Sequence, residues 1–157
     1  MSIHSPNFND HSEINFKSCK IGLIKSLWNS RITDLLFNSA YNYLISAGIN
    51  KKNIIIKEAP GSMELVYVTD YILSKMKLDG VIALGCIIKG ETDHDIYISN
   101  AVANGLVNVS LNKKKPVIFG VLTTNNFNQA IERAGGKHGD KGIESAQTLL
   151  WLSVCVL

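Results

Sequence analysis

The sequence predicts an α/β fold with three layers, in which helices cover both faces of a four-stranded parallel sheet. Four β-branched apolar runs recur along the chain, and each is continuous rather than alternating, which is typical of strands buried on both faces. Segments with helical spacing of apolar residues separate these runs. Strands that alternate with helices of this length favour right-handed crossovers and a doubly wound sheet.

The predicted strands cover residues 21–26, 54–57, 81–84 and 117–122, and the third continues toward Ile88. Helical patterns cover residues 31–47, 62–77, 92–111 and 125–134, and a last helix follows Gly142. The first helix is predicted to end at Gly48, because glycine readily takes the left-handed conformation common there. The 157 residues contain no internal repeat or linker. We therefore expect one domain over residues 19–157, preceded by a flexible arm over residues 1–18.

Composition argues against several classes of protein. The net charge is +3 and the only basic run covers residues 113–115, which is too small for a nucleic-acid surface. Residues 1–18 contain no apolar signal segment, and the apolar tail over residues 149–157 is too short to span a bilayer. Three cysteines lie far apart without a CxxC pair, which favours reduced packing cysteines over metal ligands. We expect a soluble, cytoplasmic protein with no metal site.

The stretch from Gly80 to His94 is the most informative about function. An apolar strand ends in glycines, and His94 then opens a new helical pattern. Open α/β sheets bind ligands at the carboxyl ends of their strands, where an imidazole is suited to proton transfer. A lone histidine is also a common surface or cap residue. Thr92, with Asp95 three residues later, is predicted to cap this helix, whose first N–H groups are suited to phosphate.

Two residues that follow the first and second strands each allow two interpretations. Trp28 is either a core residue or a platform on which a planar ring stacks. Glu64 either favours the start of a helix or accepts hydrogen bonds from a polyol. The turns contain neither GxGxxG nor a P-loop, and no Ser/Thr/Gly-rich phosphate loop follows the first strand, which disfavours nucleotide sites and a flavodoxin-type electron carrier.

The chain has only two arginines, and Arg133 is the more informative of them. It either complements the dipole of the short helix that it ends or binds an anion together with Lys137 and Lys141. Arg31, near the start of the first helix, is expected to form a local ion pair. His138 lies in a glycine-flanked loop and is expected to be a solvated turn residue.

Three segments together resemble the lumazine synthases. They are residues 80–94 (GVIALGCIIKGETDH), 116–124 (PVIFGVLTT) and 131–142 (IERAGGKHGDKG). The likeness runs without an obvious gap from about Lys20 to the C-terminus. It implies a flavodoxin-like sheet. It also implies condensation of 5-amino-6-(D-ribitylamino)uracil with 3,4-dihydroxy-2-butanone 4-phosphate to 6,7-dimethyl-8-ribityllumazine, the penultimate step of riboflavin biosynthesis, which releases phosphate and water.

The resemblance also implies roles for particular residues. It assigns stacking on the pyrimidine ring to Trp28 with Asn29, proton transfer to His94, and a place near the ligand to Lys141. Other contacts to ribitylaminouracil fall to Ser62, Met63, Glu64, Cys86, Ile87, Ile88 and Phe119. The phosphate contacts fall to Glu91, Thr92 and Arg133. The chain departs from the family pattern at Met63, where an aromatic is usual, and at Asp95-Ile96, where an aromatic precedes an acid.

The implied reaction needs neither a metal nor an organic cofactor, because the amine and the carbonyl are already reactive. Catalysis is expected to come mainly from positioning the two small-molecule substrates, with a smaller contribution from His94. The family builds its sites between neighbouring subunits of a homopentamer, and the uninterrupted segment 134–142 favours members in which twelve rings form a 60-subunit shell. The alternative is a non-catalytic lumazine-synthase-like protein that binds a flavin or forms a shell.

Overall fold

Four parallel strands form the central sheet of the computed structural model, which describes residues 15–155 and the side chains of residues 15–153. In chain order they are β1 (Ile21–Ser26), β2 (Ile54–Ala59), β3 (Gly80–Ile88) and β4 (Val117–Thr124). Their order across the sheet is β2-β1-β3-β4, and every neighbouring pair is parallel. The predicted three-layer α/β fold is thus confirmed.

In the described part of the chain, five α-helices lie around this sheet: α1 (Ser30–Ser46), α2 (Glu64–Lys75), α3 (His94–Lys113), α4 (Phe127–Glu132) and α5 (Lys141–Cys155). A short 3₁₀ helix (Lys51–Asn53) precedes β2, and a small antiparallel hairpin, β5 (Ala134–Gly136) with β6 (Gly139–Asp140), joins α4 to α5. The core has two parts. One lies under α1, α4 and α5, as at Leu36, Ala130 and Leu149, and the other lies under α2 and α3, as at Ile72 and Val102.

The first strand has the predicted limits, whereas the other three strands are longer than predicted. The predicted helix over 125–134 is shorter in the structure, because the Asn126 side chain accepts a hydrogen bond from Gln129 N at 3.0 Å and so caps its start. Its end is set by the hairpin, which begins at Ala134 and in which Gly135 has a φ of 105°. The sequence analysis missed this hairpin.

The close approach of α5 to α1 requires a glycine. A Cβ atom added to Gly142 would clash with the carbonyl oxygen of Leu36 and with Ser39 Oγ. The Asp140 carboxylate caps α5 by accepting hydrogen bonds from Gly142 N and Ile143 N, at 2.8 and 3.2 Å. The start of α5 is therefore fixed against α1.

The end of the predicted N-terminal arm belongs to the packed fold. Phe16 is 4% exposed and packs in the α1 part of the core, and Asn53 Nδ2 donates a 2.9 Å hydrogen bond to the carbonyl of Lys17. The rest of the predicted arm, residues 1–14, lies outside the described residues.

Candidate active site

The loops that follow β1 and β2 are hydrogen-bonded to each other at the carboxyl end of the sheet. Leu27 N donates to the carbonyl of Ala59 at 2.8 Å, and Trp28 N donates to the carbonyl of Pro60 at 3.1 Å. These bonds bring the Trp28 indole beside Gly61, where an added Cβ atom would lie 3.7 Å from its Cδ1. Trp28 is 73% exposed, so it is not a core residue and is free to stack on a ligand.

Asn29 connects this edge to the end of β3. Its Nδ2 atom donates a 2.9 Å hydrogen bond to the carbonyl oxygen of Cys86. The backbone of Asn29 is left-handed, with a φ of 57°, a conformation that asparagine adopts more readily than most residues. Burial raises the pKa of the Cys86 thiol to about 11, which makes it a poor nucleophile near neutral pH. Cys86 thus has a packing role and contributes its main chain to the edge.

Ser62 and Glu64 form the start of α2 at the same edge. Glu64 Oε2 accepts a 2.9 Å hydrogen bond from Gly61 N, so the interpretation as a helix-start residue is correct, and Oε1 has no partner among the described residues. Ser62 is buried, and its Oγ atom has no hydrogen-bond partner there either. A Cβ atom added to Gly85 would lie only 2.7 Å from this hydroxyl oxygen. We refer to Trp28, Asn29, Ser62, Glu64 and Cys86 as the strand-end group.

His94 is the first residue of α3 and is exposed to solvent. The N-cap of this helix is Asp93, so the prediction that Thr92 caps it is wrong. The carbonyl of Asp93 accepts the hydrogen bond from Ile96 N at 3.1 Å. Its near-helical dihedrals, φ −81° and ψ 15°, differ from the extended backbone that lets an N-cap side chain bond back to the helix, and no such bond forms.

The turn before α3 is acidic and open. Glu91, Thr92 and Asp93 are exposed, whereas Asp95 is half-buried, and its Oδ1 atom has no partner in the described part of the chain. The first N–H groups of α3 are suited to an anion, but the neighbouring carboxylates repel one. A phosphate bound at this turn therefore needs cations from elsewhere.

Arg133 provides a fixed cation at the end of α4. Its Nη1 and Nη2 atoms donate to Glu144 Oε1 and Oε2 at 2.9 and 3.0 Å, which forms a two-point ion pair. Nη1 also donates to the carbonyl oxygen of His138. Lys141 Nζ lies 3.4 Å from Glu144 Oε2. A favourable interaction of Arg133 with the dipole of α4 does not by itself account for this two-point ion pair. We call residues 133–144 the arginine hairpin.

Within one chain α3 and the arginine hairpin lie on different sides of the sheet, whereas Cys86 of the strand-end group lies in the same part of the core as the start of the hairpin. The start of the hairpin, at Ala134, packs in the core under α1 and α5, whereas α3, which begins at His94, packs in the core under α2 and α3. Phe119 is level with Ala83 in the sheet, three positions before Cys86, so it lies well below the strand-end group. Among the described residues, no hydrogen bond or ion pair joins His94 to Arg133.

Met63, Ile87 and Ile88 are the remaining residues at this edge that were predicted to contact the ring substrate. Met63 is 49% exposed beside the start of α2, whereas Ile87 is buried and Ile88 half-buried at the end of β3. Asn29 and these three residues thus line one edge. The hydrogen bond from Lys89 N to the carbonyl of Thr124, 2.8 Å long, holds the turn that follows.

The expectation of an ion pair at Arg31 is wrong. Its guanidinium lies over the ring of Phe127, 4.9 Å from the centroid, and it makes no ion pair among the described residues. This contact connects the start of α1 to α4 and so supports the segment that ends at Arg133. No linear pattern predicts this contact, because it depends on the two helices being neighbours in space.

Two further observations concern the described residues as a whole. Among them, no three histidine, cysteine, aspartate or glutamate side chains lie close enough together to hold a metal ion. None of the helices described is both long and apolar enough to cross a membrane.

Comparison with known proteins identifies the family. A family model described as 6,7-dimethyl-8-ribityllumazine synthase matches residues 18–155. The protein of that name from Cytophaga hutchinsonii is 47% identical over 152 residues, 96% of each chain. Those from Porphyromonas gingivalis and Levilactobacillus brevis are 43% and 46% identical, over 85% and 83% of this chain and 83% of each relative. The resemblance of the sequence motifs is thus confirmed, and the chain belongs to the 6,7-dimethyl-8-ribityllumazine synthase family.

Proposed function

We propose that the chain condenses 5-amino-6-(D-ribitylamino)uracil with 3,4-dihydroxy-2-butanone 4-phosphate to 6,7-dimethyl-8-ribityllumazine. The observation that carries the proposal is the strand-end group. There an exposed indole, Trp28, adjoins a turn whose buried Ser62 hydroxyl has no partner in the described chain. A planar uracil suits the indole face, and unpaired main-chain and hydroxyl groups suit its polar edge.

The chemistry consists of bond changes that suit such a site. The ring amine attacks the carbonyl of the butanone, and water leaves to form an imine. Phosphate then leaves by elimination across C3 and C4, and the resulting enol tautomerises to a ketone at C3. Attack of the ribitylamino nitrogen on this new carbonyl closes the ring with loss of a second water. Holding the two substrates together supplies most of the acceleration, and His94 relays protons between these steps.

The phosphate of the second substrate requires the arginine hairpin. The turn before α3 carries Glu91 and Asp93, and Asp95 is the second residue of the helix; the carboxylates of all three oppose a phosphate dianion. Arg133 and Lys141 supply the missing positive charge, but in the same chain the hairpin that carries them lies on the side of the sheet opposite α3. We place the hairpin and Phe119 of one subunit against the strand-end group and His94 of its neighbour.

A ring of five subunits, a homopentamer, fits this head-to-tail sharing. Apolar side chains exposed on α2 and α3 favour burial against another copy. They are Tyr67, Tyr71, Ile96, Tyr97, Val107 and Leu111. The Tyr67 and Tyr71 rings stack with centroids 6.3 Å apart. The uninterrupted segment 134–142 favours closure into a 60-subunit icosahedral shell, and a cytoplasmic location suits reduced Cys19 and Cys86. Analytical ultracentrifugation distinguishes a pentamer from a 60-mer.

One assay separates this enzyme from the non-catalytic alternative. The purified protein is incubated with both substrates, and formation of the lumazine is followed by its absorbance against the slow spontaneous reaction. The names of the curated relatives favour the enzyme, and none of them favours a flavin-binding or purely structural role. Absence of any rate above the spontaneous reaction, with a folded protein, would reject the proposed function.

A further inference from the structure

The guanidinium of Arg133 is only partly used within the chain. An arginine has five N–H groups, arranged along two edges that can each hold two oxygens. The end formed by Nη1 and Nη2 is occupied by the carboxylate of Glu144, and the other N–H of Nη1 meets the carbonyl of His138. The Nε–H and one N–H of Nη2 therefore remain, parallel and on one edge, with no partner among the described residues.

Glu144 is itself held in place. It lies in the first turn of α5, which Asp140 caps and whose residue Gly142 is packed against α1. The slot around the ion pair is tight, because a Cβ atom added to Gly139 would lie 3.0 Å from Arg133 Nη1 and 3.1 Å from Glu144 Oε1. Gly139 also has a φ of 97°, which disfavours other residues. The pair is thus built into the fold rather than formed by two mobile surface side chains.

We propose that Glu144 is a positioning residue, which orients Arg133 so that the Nε/Nη2 edge of the guanidinium receives the phosphate of the second substrate. The proposal rests on the proposed function and assigns a role to a residue that the sequence analysis did not single out. A free arginine would have to lose side-chain freedom when phosphate binds, whereas this one is already ordered. Lys141, which also contacts Glu144, keeps the cluster net positive.

Charge and positioning predict opposite effects when Glu144 is neutralised. Glu144→Gln removes a negative charge beside an anion site, so electrostatics alone predicts tighter phosphate binding. A positioning role for Glu144 predicts weaker phosphate binding, because the amide of glutamine can keep only one of the two charge-assisted hydrogen bonds that hold the Arg133 guanidinium. The sign of the change therefore distinguishes the two roles.

The test measures KM for each substrate and the inhibition constant of inorganic phosphate for Glu144→Gln. We expect KM for the butanone phosphate and the phosphate inhibition constant to rise about tenfold, the effect of one lost charge-assisted hydrogen bond. KM for ribitylaminouracil should stay within about twofold, because that substrate lies at the strand-end group. Glu132→Gln is the matched control: the Glu132 side chain accepts a hydrogen bond from Lys137 N at 3.0 Å and makes no hydrogen bond or ion pair with the Arg133 guanidinium among the described residues.

Two further variants keep the result decisive. Glu144→Asp retains the charge on a shorter side chain and should weaken phosphate binding by a smaller factor, which tests the proposal even if Glu144→Gln does not fold. In an Arg133→Lys background, Glu144→Gln should change phosphate binding little, because this background lacks the guanidinium that Glu144 would orient. Phosphate binding unchanged or tighter in folded Glu144→Gln and Glu144→Asp would overturn the proposal. An inactive wild-type protein would instead reject the proposed function, and calorimetry with inorganic phosphate would still test Glu144.

Discussion

The strand-end group and the arginine hairpin are held by different interactions, although both belong to the proposed site. The strand-end group is connected mainly through main-chain hydrogen bonds, such as the bond from Asn29 Nδ2 to the Cys86 carbonyl at 2.9 Å and the bond from Gly61 N to Glu64 at 2.9 Å, and its aromatic ring remains exposed. The hairpin is organised by charge, through the Arg133–Glu144 pair and Lys141. The first region suits a neutral planar ring, and the second suits an anion.

The two regions also differ in the substrate groups that they can bind. Each keeps unpaired polar groups among the described residues, Ser62 Oγ in one and the Nε/Nη2 edge of Arg133 in the other, and neither contains the groups that both substrates require. We expect such a division to give assembly a direct role in activity, because a head-to-tail ring would join unlike surfaces of neighbouring copies. Variants in each region test its role separately, and mixed rings test whether the two regions meet between subunits.

The largest effect is expected from His94→Ala. Because proton transfer assists a reaction that is driven mainly by positioning, we expect kcat to fall about 10- to 1,000-fold with little change in either KM. Stopped-flow absorbance with saturating substrates measures this. His138→Ala is the control, since His138 is exposed and contributes only its carbonyl to Arg133. An unchanged rate for His94→Ala would remove this residue from the mechanism.

Arg133→Lys tests the anion side of the comparison. Lysine keeps the charge but offers no planar fork, so we expect KM for the butanone phosphate to rise about tenfold or more while KM for ribitylaminouracil stays nearly constant. Steady-state kinetics with each substrate varied in turn measures the two constants. Arg31→Lys makes the same change at a guanidinium that lies over Phe127, so it measures how much of the effect comes from weaker support of α4. Equal loss for both substrates, or for neither, would contradict the phosphate assignment.

Much of the fold and part of the site were predictable from local sequence. The run Ile21–Ser26 was found with both its limits, because β-branched residues end at a clear polar boundary. Trp28, Glu64 and His94 were expected at one edge because parallel strands bring their carboxyl ends together, and the structure does connect the loops that carry Trp28 and Glu64.

Other features depend on neighbours that a linear pattern does not reveal. The hairpin strands Ala134–Gly136 and Gly139–Asp140 are too short and too rich in glycine to show periodicity. Arg133 and Glu144 are eleven positions apart, and only the hairpin turn brings them together. Thr92 has a residue type typical of a cap, but the backbone conformation at Asp93 decided where α3 begins.

The joining of the two regions can be tested by mixing subunits. His94→Ala and Arg133→Ala chains are denatured, combined in equal amounts and refolded together. Random head-to-tail rings should contain intact sites at about a quarter of their interfaces, because each half of a site must come from the right variant. Activity should therefore return toward a quarter of the wild-type value. If both variants are impaired and proven mixed rings stay equally inactive, the site lies within one chain.

The smallest effect concerns the support beneath the strand-end group. Lys25 of β1 is only 17% exposed at its side chain, and its Nζ lies 2.5 Å from Asp34 of α1 and 3.4 Å from Glu58 of β2. The hydrogen bond to Asp34 is the main cause that raises the pKa of Lys25 above its ordinary value of 10.5. The ion pairs of Lys25 thus connect β1 to α1 and β2 just before the loops that carry the strand-end group.

We expect Lys25→Met to lower the free energy of unfolding by about 1 kcal/mol near neutral pH, because methionine keeps the apolar stem but loses both ion pairs. Since the pKa of Lys25 is raised by folding, its contribution is present below the unfolded pKa and is lost as the pH rises beyond about 10.5. Urea unfolding of wild type and variant should therefore show a difference that shrinks above that pH. Lys57→Met is the control, because exposed Lys57 makes no ion pair with any described residue. A difference that stays constant at high pH, or that equals the Lys57→Met effect, would show that Lys25 acts through packing and that the strand-end group has no charged support.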